Sequence, residues 1–194
     1  TGAVLHTLTG ASPGESFGTA VAWVGDVTGD GVSELAIGAQ GASVTAPYAG
    51  RVYLLSGADG AVVWTADGEG EGHLLGSGAG TLGDVTGDGV PDLVAGAPGA
   101  PGGGLALVLD GVDGAVVHRL QDGGVGGALG SFFVAGVGDV DSDGVPDVYG
   151  GDYADAAAGA GAGRVTVWSG ATGVERFAVP GTGPGDGLGP GRYA

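Results

Sequence analysis

The chain has 194 residues, and its 22 acidic against 5 basic side chains give a formal net charge of −17 at neutral pH. This charge argues against nucleic acid and anionic membranes as partners, because their phosphates would be repelled, and it makes cations the natural complement. There is no cysteine, which excludes disulfides and thiolate metal sites. No apolar run reaches the ~18 residues of a transmembrane helix, so we expect no membrane insertion.

The chain is rich in glycine, with 49 glycines and 9 prolines, a composition typical of disorder unless the sequence has a period. A period is present. The segment GDVTGDGVSEL recurs as GDVTGDGVPDL and GDVDSDGVPDV, and its first aspartates are Asp26, Asp84 and Asp139. A spacing of about 55 residues indicates propeller blades or helical arrays.

The predicted elements repeat in a fixed order along the chain. The opening TGAVLHTL matches the end of a unit and is predicted to be a fourth strand. SFGTAVAWV, ELAIGA, GRVYLLSG and GAVVWTA then predict four strands, and two further sets follow before the closing GLGPGRYA, which matches the start of a unit. These Val-, Leu- and Ala-rich runs have strand length and lie between Gly- and Asp-rich turns, whereas such dense glycine opposes helices.

Four strands per unit predict an all-β fold, a β-propeller of four-stranded blades, with three full blades and partial strands at both ends. The whole chain, 1–194, is then one propeller region with repeats at about 1–58, 59–112 and 113–171 and a partial repeat at 172–194. Propellers close with about four to eight blades. We therefore expect further blades from a longer native chain, or self-association.

The acidic segments are predicted to be calcium loops. Oxygen-bearing side chains occupy loop positions 1, 3, 5 and 9, glycine occupies position 6, and position 7 would offer a backbone carbonyl. The predicted ligands are Asp26, Thr28, Asp30, Val32 and Glu34; Asp84, Thr86, Asp88, Val90 and Asp92; and Asp139, Asp141, Asp143, Val145 and Asp147. We expect one Ca²⁺ per repeat, three in all, with the third loop binding most tightly because Asp141 replaces a threonine.

These loops have two alternative interpretations. An EF-hand ends in a bidentate Glu at position 12 and lies between helices, but here position 12 is Ile37, Ala95 or Gly150 and a strand-like run follows. Alternatively, the loops are Asp-Gly-rich turns without metal. Three loops in register favour calcium, since the gathered carboxylates would otherwise repel one another.

The motifs FG at Phe17–Gly18 and GAP at Gly96–Pro98, together with the acidic loops, resemble FG-GAP repeats, the blades of the integrin alpha-subunit β-propeller and its bacterial relatives. Two columns depart from the pattern: the phenylalanine is replaced by Leu75, Leu129 and Leu188, and GAP by Gly38-Ala39-Gln40 and Gly150-Gly151-Asp152. The resemblance implies antiparallel blades, calcium loops between the first two strands, and ligand binding on the opposite face.

On that opposite face the longest variable loops run over 40–50, 98–104 and 151–163. The candidate ligand contacts there are Tyr48, Asp152, Tyr153 and Asp155, since exposed aromatic residues tend to anchor interfaces. Plain solvated loops are the alternative.

No catalytic constellation is evident. The sequence has no G-x-S-x-G elbow and no lysine for a P-loop. His6 and His118 share a column of the fourth strand with Trp64 and Phe177, which indicates packing. We therefore expect a non-enzymatic protein.

The predicted function is a calcium-binding extracellular or cell-surface module for binding a protein or carbohydrate, or for adhesion. Millimolar extracellular calcium suits exposed sites with dissociation constants of about 10⁻⁴–10⁻³ M. The alternatives are a propeller domain of a secreted enzyme, a lectin, or a purely architectural surface repeat.

Overall fold

A computed structural model describes residues 2–188. Within this range the chain forms β-strands and no helix, so no segment of it is a helix that could cross a membrane. The strands are β1 (Phe17–Gly25), β2 (Glu34–Ala39), β3 (Arg51–Leu55), β4 (Val62–Asp67), β5 (Ala79–Gly83), β6 (Asp92–Ala97), β7 (Leu105–Leu109), β8 (Val116–Leu120), β9 (Val134–Gly138), β10 (Asp147–Asp152), β11 (Arg164–Trp168) and β12 (Glu175–Pro180).

The strands form three four-stranded antiparallel sheets, β1 to β4, β5 to β8 and β9 to β12, each in sequence order. The first strands of neighbouring sheets lie against one another, β1 with β5 and β5 with β9. This arrangement is consistent with blades of a β-propeller, and we call the sheets blades 1, 2 and 3. The prediction of an all-β fold with four-stranded antiparallel blades is confirmed.

The blades run from 17 to 67, 79 to 120 and 134 to 180. Each therefore crosses a predicted repeat boundary, because its fourth strand lies in the following predicted repeat. The prediction of a strand in TGAVLHTL is wrong, since residues 2–10 are irregular and mostly exposed. A fourth strand pairs with the third strand of its own blade, and residues 2–10 pair with none of the described strands. The predicted closing strand lies mostly outside the described residues.

The hydrophobic core lies between the blades. Leu54, Leu75 and Leu93 belong to a buried cluster shared by blades 1 and 2, and Leu129 and Trp168 belong to one shared by blades 2 and 3. In blade 2, which has a neighbour on both sides, β6 and β7 are buried along their whole lengths. The leucine, valine and alanine side chains of these strands fill the space between the blades.

Glycine allows the blades to approach closely. A Cβ atom on Gly96 would lie 1.9 Å from the carbonyl oxygen of Gly130 in the next blade, and one on Gly38 would lie 1.9 Å from that of Gly76. Gly76 and Gly130 have φ angles of 88° and 84°, which favour glycine. At both junctions, the glycine at the GAP position of one blade therefore contacts the glycine at the FG position of the next blade.

The strand register corrects one predicted alignment. Asp152 pairs with Arg164 at the position where Ala39 pairs with Arg51 and Ala97 with Leu105. The GAP column of blade 3 is therefore 151–153, Gly-Asp-Tyr, and the predicted Gly150-Gly151-Asp152 was displaced by one residue. Asp152 thus occupies a position where the other blades bury alanine.

Candidate metal centres

The three acidic loops lie at one edge of the blades, between β1 and β2, β5 and β6, and β9 and β10. The first aspartate of each loop accepts backbone hydrogen bonds from the turn that follows it. In the second loop, Asp84 Oδ1 accepts from the N–H groups of Gly87 at 2.6 Å and Asp88 at 3.1 Å, and Oδ2 accepts from Gly89 at 2.8 Å. These hydrogen bonds, that of Gly89 foremost, lower the pKa of Asp84.

The same pattern holds in the other two loops. Asp26 accepts from Gly29, Asp30 and Gly31 in the first loop. Asp139 accepts from Ser142, Asp143 and Gly144 in the third loop. Each loop is therefore folded around its first carboxylate, which is exposed in the first and third loops and half-buried in the second.

The ninth residue of each loop, Glu34, Asp92 or Asp147, is fully buried. Asp92 Oδ2 accepts from the N–H groups of Val85 and Thr86 at 2.8 and 3.0 Å, while Oδ1 accepts from Gly111 at 2.8 Å. Gly111 lies in the turn between β7 and β8, so the side chain ties the acidic loop to that turn. Burial raises the pKa of Asp92, although the three hydrogen bonds oppose the shift.

The carboxylates converge in two of the three loops. Oxygen atoms of Asp26, Asp30 and Glu34 lie within 4.8 Å of one another, as do those of Asp139, Asp141 and Asp147. Among the described residues the second loop does not gather its carboxylates to this distance. Groups that offer only oxygen fit a hard cation such as calcium or magnesium.

The remaining predicted ligands lie in the same turns. Thr28 Oγ1 donates to Glu34 Oε1 at 3.4 Å, and Thr86 Oγ1 donates to Asp84 Oδ1 at 3.5 Å. The N–H groups of the predicted position-7 residues donate to the position-5 carboxylates, in the pairs Val32 to Asp30, Val90 to Asp88 and Val145 to Asp143. Asp143 does not join the cluster of the third loop.

The third loop has a cationic neighbour that was not predicted from the sequence. Arg176, on β12, places its Nε 3.2 Å from Asp141 Oδ2. The extra carboxylate of this loop is therefore paired with a guanidinium, which opposes the expected tighter calcium binding. The sequence contained a signal for this contact, because blades 1 and 2 carry Val63 and Val117 at the position that Arg176 occupies in blade 3.

At the opposite edge, the structure separates the four candidate ligand contacts. Tyr48 and Tyr153 are exposed, at 61% and 40%. Asp152 and Asp155 are fully buried, so neither presents its side chain at the surface to a protein or glycan ligand as expected. Both accept hydrogen bonds from the segment between β8 and β9, which covers them.

An aromatic group at this edge was also missed. The ring centroid of Phe132, 63% exposed, lies 6.2 Å from that of Tyr153 and 6.5 Å from that of Phe133. The signal was the pair of phenylalanines at positions that hold Gly78 and Ala79 in blade 2. Phe132, Phe133 and Tyr153 form what we call the aromatic patch.

Blades of four strands, each with an acidic loop between its first two strands, define the class of this protein as a β-repeat protein. Residues 17–55 match the family profile described as FG-GAP repeat. Integrin alpha-PS2 of Drosophila melanogaster is 37% identical over 120 residues, which cover 55% of this chain and 8% of that protein. The chain thus contains one segment that matches an FG-GAP repeat and resembles an integrin alpha chain over just over half of its length. It spans less than a tenth of that relative's length.

Proposed function

We propose that this chain is a calcium-binding extracellular β-propeller module that binds a protein or carbohydrate, with one Ca²⁺ in each acidic loop. The observation that carries the proposal is the shared architecture of the three loops. Each is folded around its first carboxylate and anchored by a buried ninth one. Similarity to an integrin alpha chain supports an extracellular or cell-surface setting.

The loops need a cation for an electrostatic reason. Three carboxylates whose oxygens lie within 4.8 Å of one another repel unless a positive charge lies between them. The ion would be bound by Asp26, Asp30 and Glu34 in the first loop and by Asp139, Asp141 and Asp147 in the third. In the second loop it would be bound by Asp84, Asp88 and Asp92, and Thr28 and Thr86 would be neutral oxygen donors. The N–H groups already bonded to the first aspartate would hold that ligand in place.

The ions would have a structural role in this proposal. They lie at the edge opposite the exposed Tyr48 and the aromatic patch, and they stabilise the turns between the first two strands of each blade. Ligand recognition belongs to the opposite edge, where exposed aromatic side chains can anchor a partner. We propose no catalytic role.

Calorimetric calcium titration tests the metal assignment. Asp30→Ala, Asp88→Ala and Asp141→Ala should each reduce the stoichiometry by one ion relative to the unchanged chain. Asp113→Ala is the matched control, because Asp113 accepts a hydrogen bond from Ala115 in a turn outside the acidic loops. Unchanged stoichiometry in all three loop variants would contradict the assignment.

Glycan and protein arrays test the recognition surface separately. Tyr48→Ala and Tyr153→Ala should weaken binding to any captured ligand while leaving calcium stoichiometry unchanged. Hydrolytic turnover of a captured glycan by the purified chain would favour a secreted enzyme instead. Capture that both tyrosine variants retain in full would place the binding surface elsewhere.

A further inference from the structure

A second group of carboxylates lies between blades 2 and 3, at the edge opposite the acidic loops. Asp122 follows β8, Asp152 ends β10, and Asp155 lies in the next turn. Their exposed fractions are 5%, 0% and 0%. We call these three residues the junction cluster.

The other blades carry small neutral residues at these three positions. The strand register matches Asp152 with Ala39 and Ala97. Three residues further along the chain, Asp155 matches Ala42 and Ala100. All four alanines are buried. Asp122 follows β8 where Gly68 and Gly181 follow β4 and β12. The repeat fold therefore does not require these carboxylates, and all three lie at the junction between blades 2 and 3.

The oxygens of the junction cluster face a common space. A Cβ atom built on Gly124 would lie 2.9 Å from Asp155 Oδ2, 3.0 Å from Asp122 Oδ1 and 3.0 Å from Asp152 Oδ2. A Cβ atom on Gly127 would lie 1.9 Å from Asp152 Oδ2. The segment between β8 and β9 passes over the cluster with glycines, which leave room for the carboxylates.

Two of the oxygens have no hydrogen-bond partner. Asp152 Oδ1 accepts from Ala128 at 2.7 Å, and Asp122 Oδ1 accepts from Gly124 at 2.9 Å. Asp122 Oδ2 and Asp152 Oδ2 are buried and unpaired. An unpaired buried oxygen is costly, more so when it is charged, so its presence at two sites in one cluster indicates a missing partner.

One guanidinium faces the three carboxylates. Arg164 Nε lies 3.6 Å from Asp155 Oδ2, and its Nη1 donates to the backbone oxygen of Asp122 at 3.0 Å. When all three carboxylates are ionised, two negative charges have no counterpart in this group. Burial raises the pKa of Asp122 and Asp152, and the charge of Asp155 adds to both shifts.

We propose that the junction cluster is a fourth cation site, for a hard divalent cation such as calcium, separate from the three loop sites. Asp122 Oδ2 and Asp152 Oδ2 would be its main ligands, together with the carboxylate of Asp155. The cluster is more open than the two loop groups whose oxygens lie within 4.8 Å of one another, so an ion would draw its carboxylates inwards. The bound ion would fasten the segment between β8 and β9 to blade 3.

Calcium stoichiometry, measured on the whole chain by calorimetry and equilibrium dialysis, tests this site. Asp122→Asn with Asp152→Asn keeps the shape of both side chains and removes both charges. This double variant should bind one ion fewer than the unchanged chain, and Asp113→Asn should bind the same number. Stoichiometry equal to that of the unchanged chain would overturn the proposal, because the cluster would then be protonated or hydrated.

Thermal unfolding gives a second readout. In chelator the double variant should unfold at a higher temperature than the unchanged chain, because it buries fewer like charges. In saturating calcium the order should reverse, because only the unchanged chain can bind the fourth ion. The same order in both conditions would overturn the proposal. If the double variant fails to fold, Asp122→Gly, which installs the residue of Gly68 and Gly181, serves in both measurements.

The two proposals fail independently. Loss of an ion in Asp88→Ala depends only on the second loop, and loss of an ion in the double variant depends only on the junction cluster. A chain that binds three ions and loses none in the double variant would keep the loop assignment and remove the junction site.

Discussion

The indole N–H of Trp64 in blade 1 donates a 2.7 Å hydrogen bond to the carbonyl oxygen of Gly111 in blade 2. The N–H of Gly111 donates in turn to the buried Asp92 at 2.8 Å. One turn of blade 2 thus bonds both to the fourth strand of blade 1 and to the buried end of the acidic loop of blade 2. The acidic loops and the blade junctions are therefore physically connected.

The next junction repeats the arrangement with a different side chain. His118 Nε2 lies 2.7 Å from the carbonyl oxygen of Gly170, whose N–H donates to Asp147 at 2.9 Å. The carbonyl must accept, so His118 carries its proton on Nε2 in this contact. Phe177 occupies the same column in blade 3 and is 51% exposed. The position in the fourth strand that was predicted to serve aromatic packing thus forms a hydrogen bond to the next blade in blades 1 and 2.

We predict that Trp64→Phe destabilises the chain by about 1–3 kcal/mol, because it leaves the buried Gly111 carbonyl without its donor. Phe177→Leu is the control at the same column, where the ring is half-exposed and makes no hydrogen bond, and it should cost less than about 0.5 kcal/mol. Urea denaturation measures both free energies of unfolding. Equal effects would show that the hydrogen bond contributes nothing.

We predict that Asp92→Asn and Asp88→Asn separate anchoring of the second loop from binding of its ion. In chelator, Asp92→Asn should lower the free energy of unfolding by about 1–3 kcal/mol, because an amide nitrogen cannot accept the N–H bonds that the carboxylate now accepts. Asp88→Asn, in the exposed part of the loop, should leave stability in chelator unchanged while weakening calcium binding. Equal losses of stability in chelator would contradict the division of roles.

We predict that Arg176→Val tightens calcium binding at the third loop by a few-fold, because the guanidinium now pairs with Asp141. The Arg176 side chain is 46% exposed and that of Asp141 is 7% exposed, so water screens the pair from the arginine side. Ion pairs screened by water contribute up to about 1 kcal/mol, which corresponds to about a fivefold change in affinity. Valine is the residue that blades 1 and 2 carry at this position. Calorimetry should show no such gain for Arg119→Val, whose guanidinium pairs with Glu69 on another surface. Unchanged or weaker binding in Arg176→Val would contradict the prediction.

We predict that the metal-free chain gains stability as the pH falls, through the junction cluster. The pKa values of Asp122 and Asp152 are raised by burial in the folded chain, whereas the unfolded chain titrates near the ordinary value of about 3.9. Between the ordinary and the raised pKa values the folded chain binds more protons, so this contribution to stability grows as the pH falls through the raised values.

Thermal unfolding in chelator from pH 7 to pH 4.5 measures this effect. The midpoint of the unchanged chain should rise relative to that of the Asp122→Asn, Asp152→Asn variant, which lacks both titrating groups. The lowered pKa of Asp84 acts in the opposite direction at lower pH, but it is common to both proteins and cancels in the comparison. A midpoint difference that is independent of pH would contradict the prediction.

The period of the sequence predicted most of the fold, because every blade repeats the same order of strands and turns. The placement of the acidic loops between the first two strands, with the variable loops at the opposite edge, came from the resemblance to FG-GAP repeats. The period did not predict that residues 2–10 lack a strand, since strand formation there depends on a pairing partner that a local pattern does not reveal. The register error at Gly151 arose because a glycine pair in β10 fits the GAP column in two ways.

The candidate sites were predicted less completely, because their details depend on contacts between distant segments. Arg176 reaches Asp141 only through the pairing of β12 with the rest of blade 3. Asp152 and Asp155 look like loop carboxylates in the sequence, yet the segment between β8 and β9 buries them. A substitution that breaks the repeat, such as aspartate in an alanine column, was the available signal.

Long-wavelength X-ray diffraction from crystals grown in calcium tests the central claim most directly, since anomalous scattering locates each ion. We predict one peak inside each acidic loop, near its first and ninth residues, which are Asp26 and Glu34, Asp84 and Asp92, and Asp139 and Asp147. Crystals of a folded chain in saturating calcium that show no anomalous peak in any of the three loops would contradict this claim.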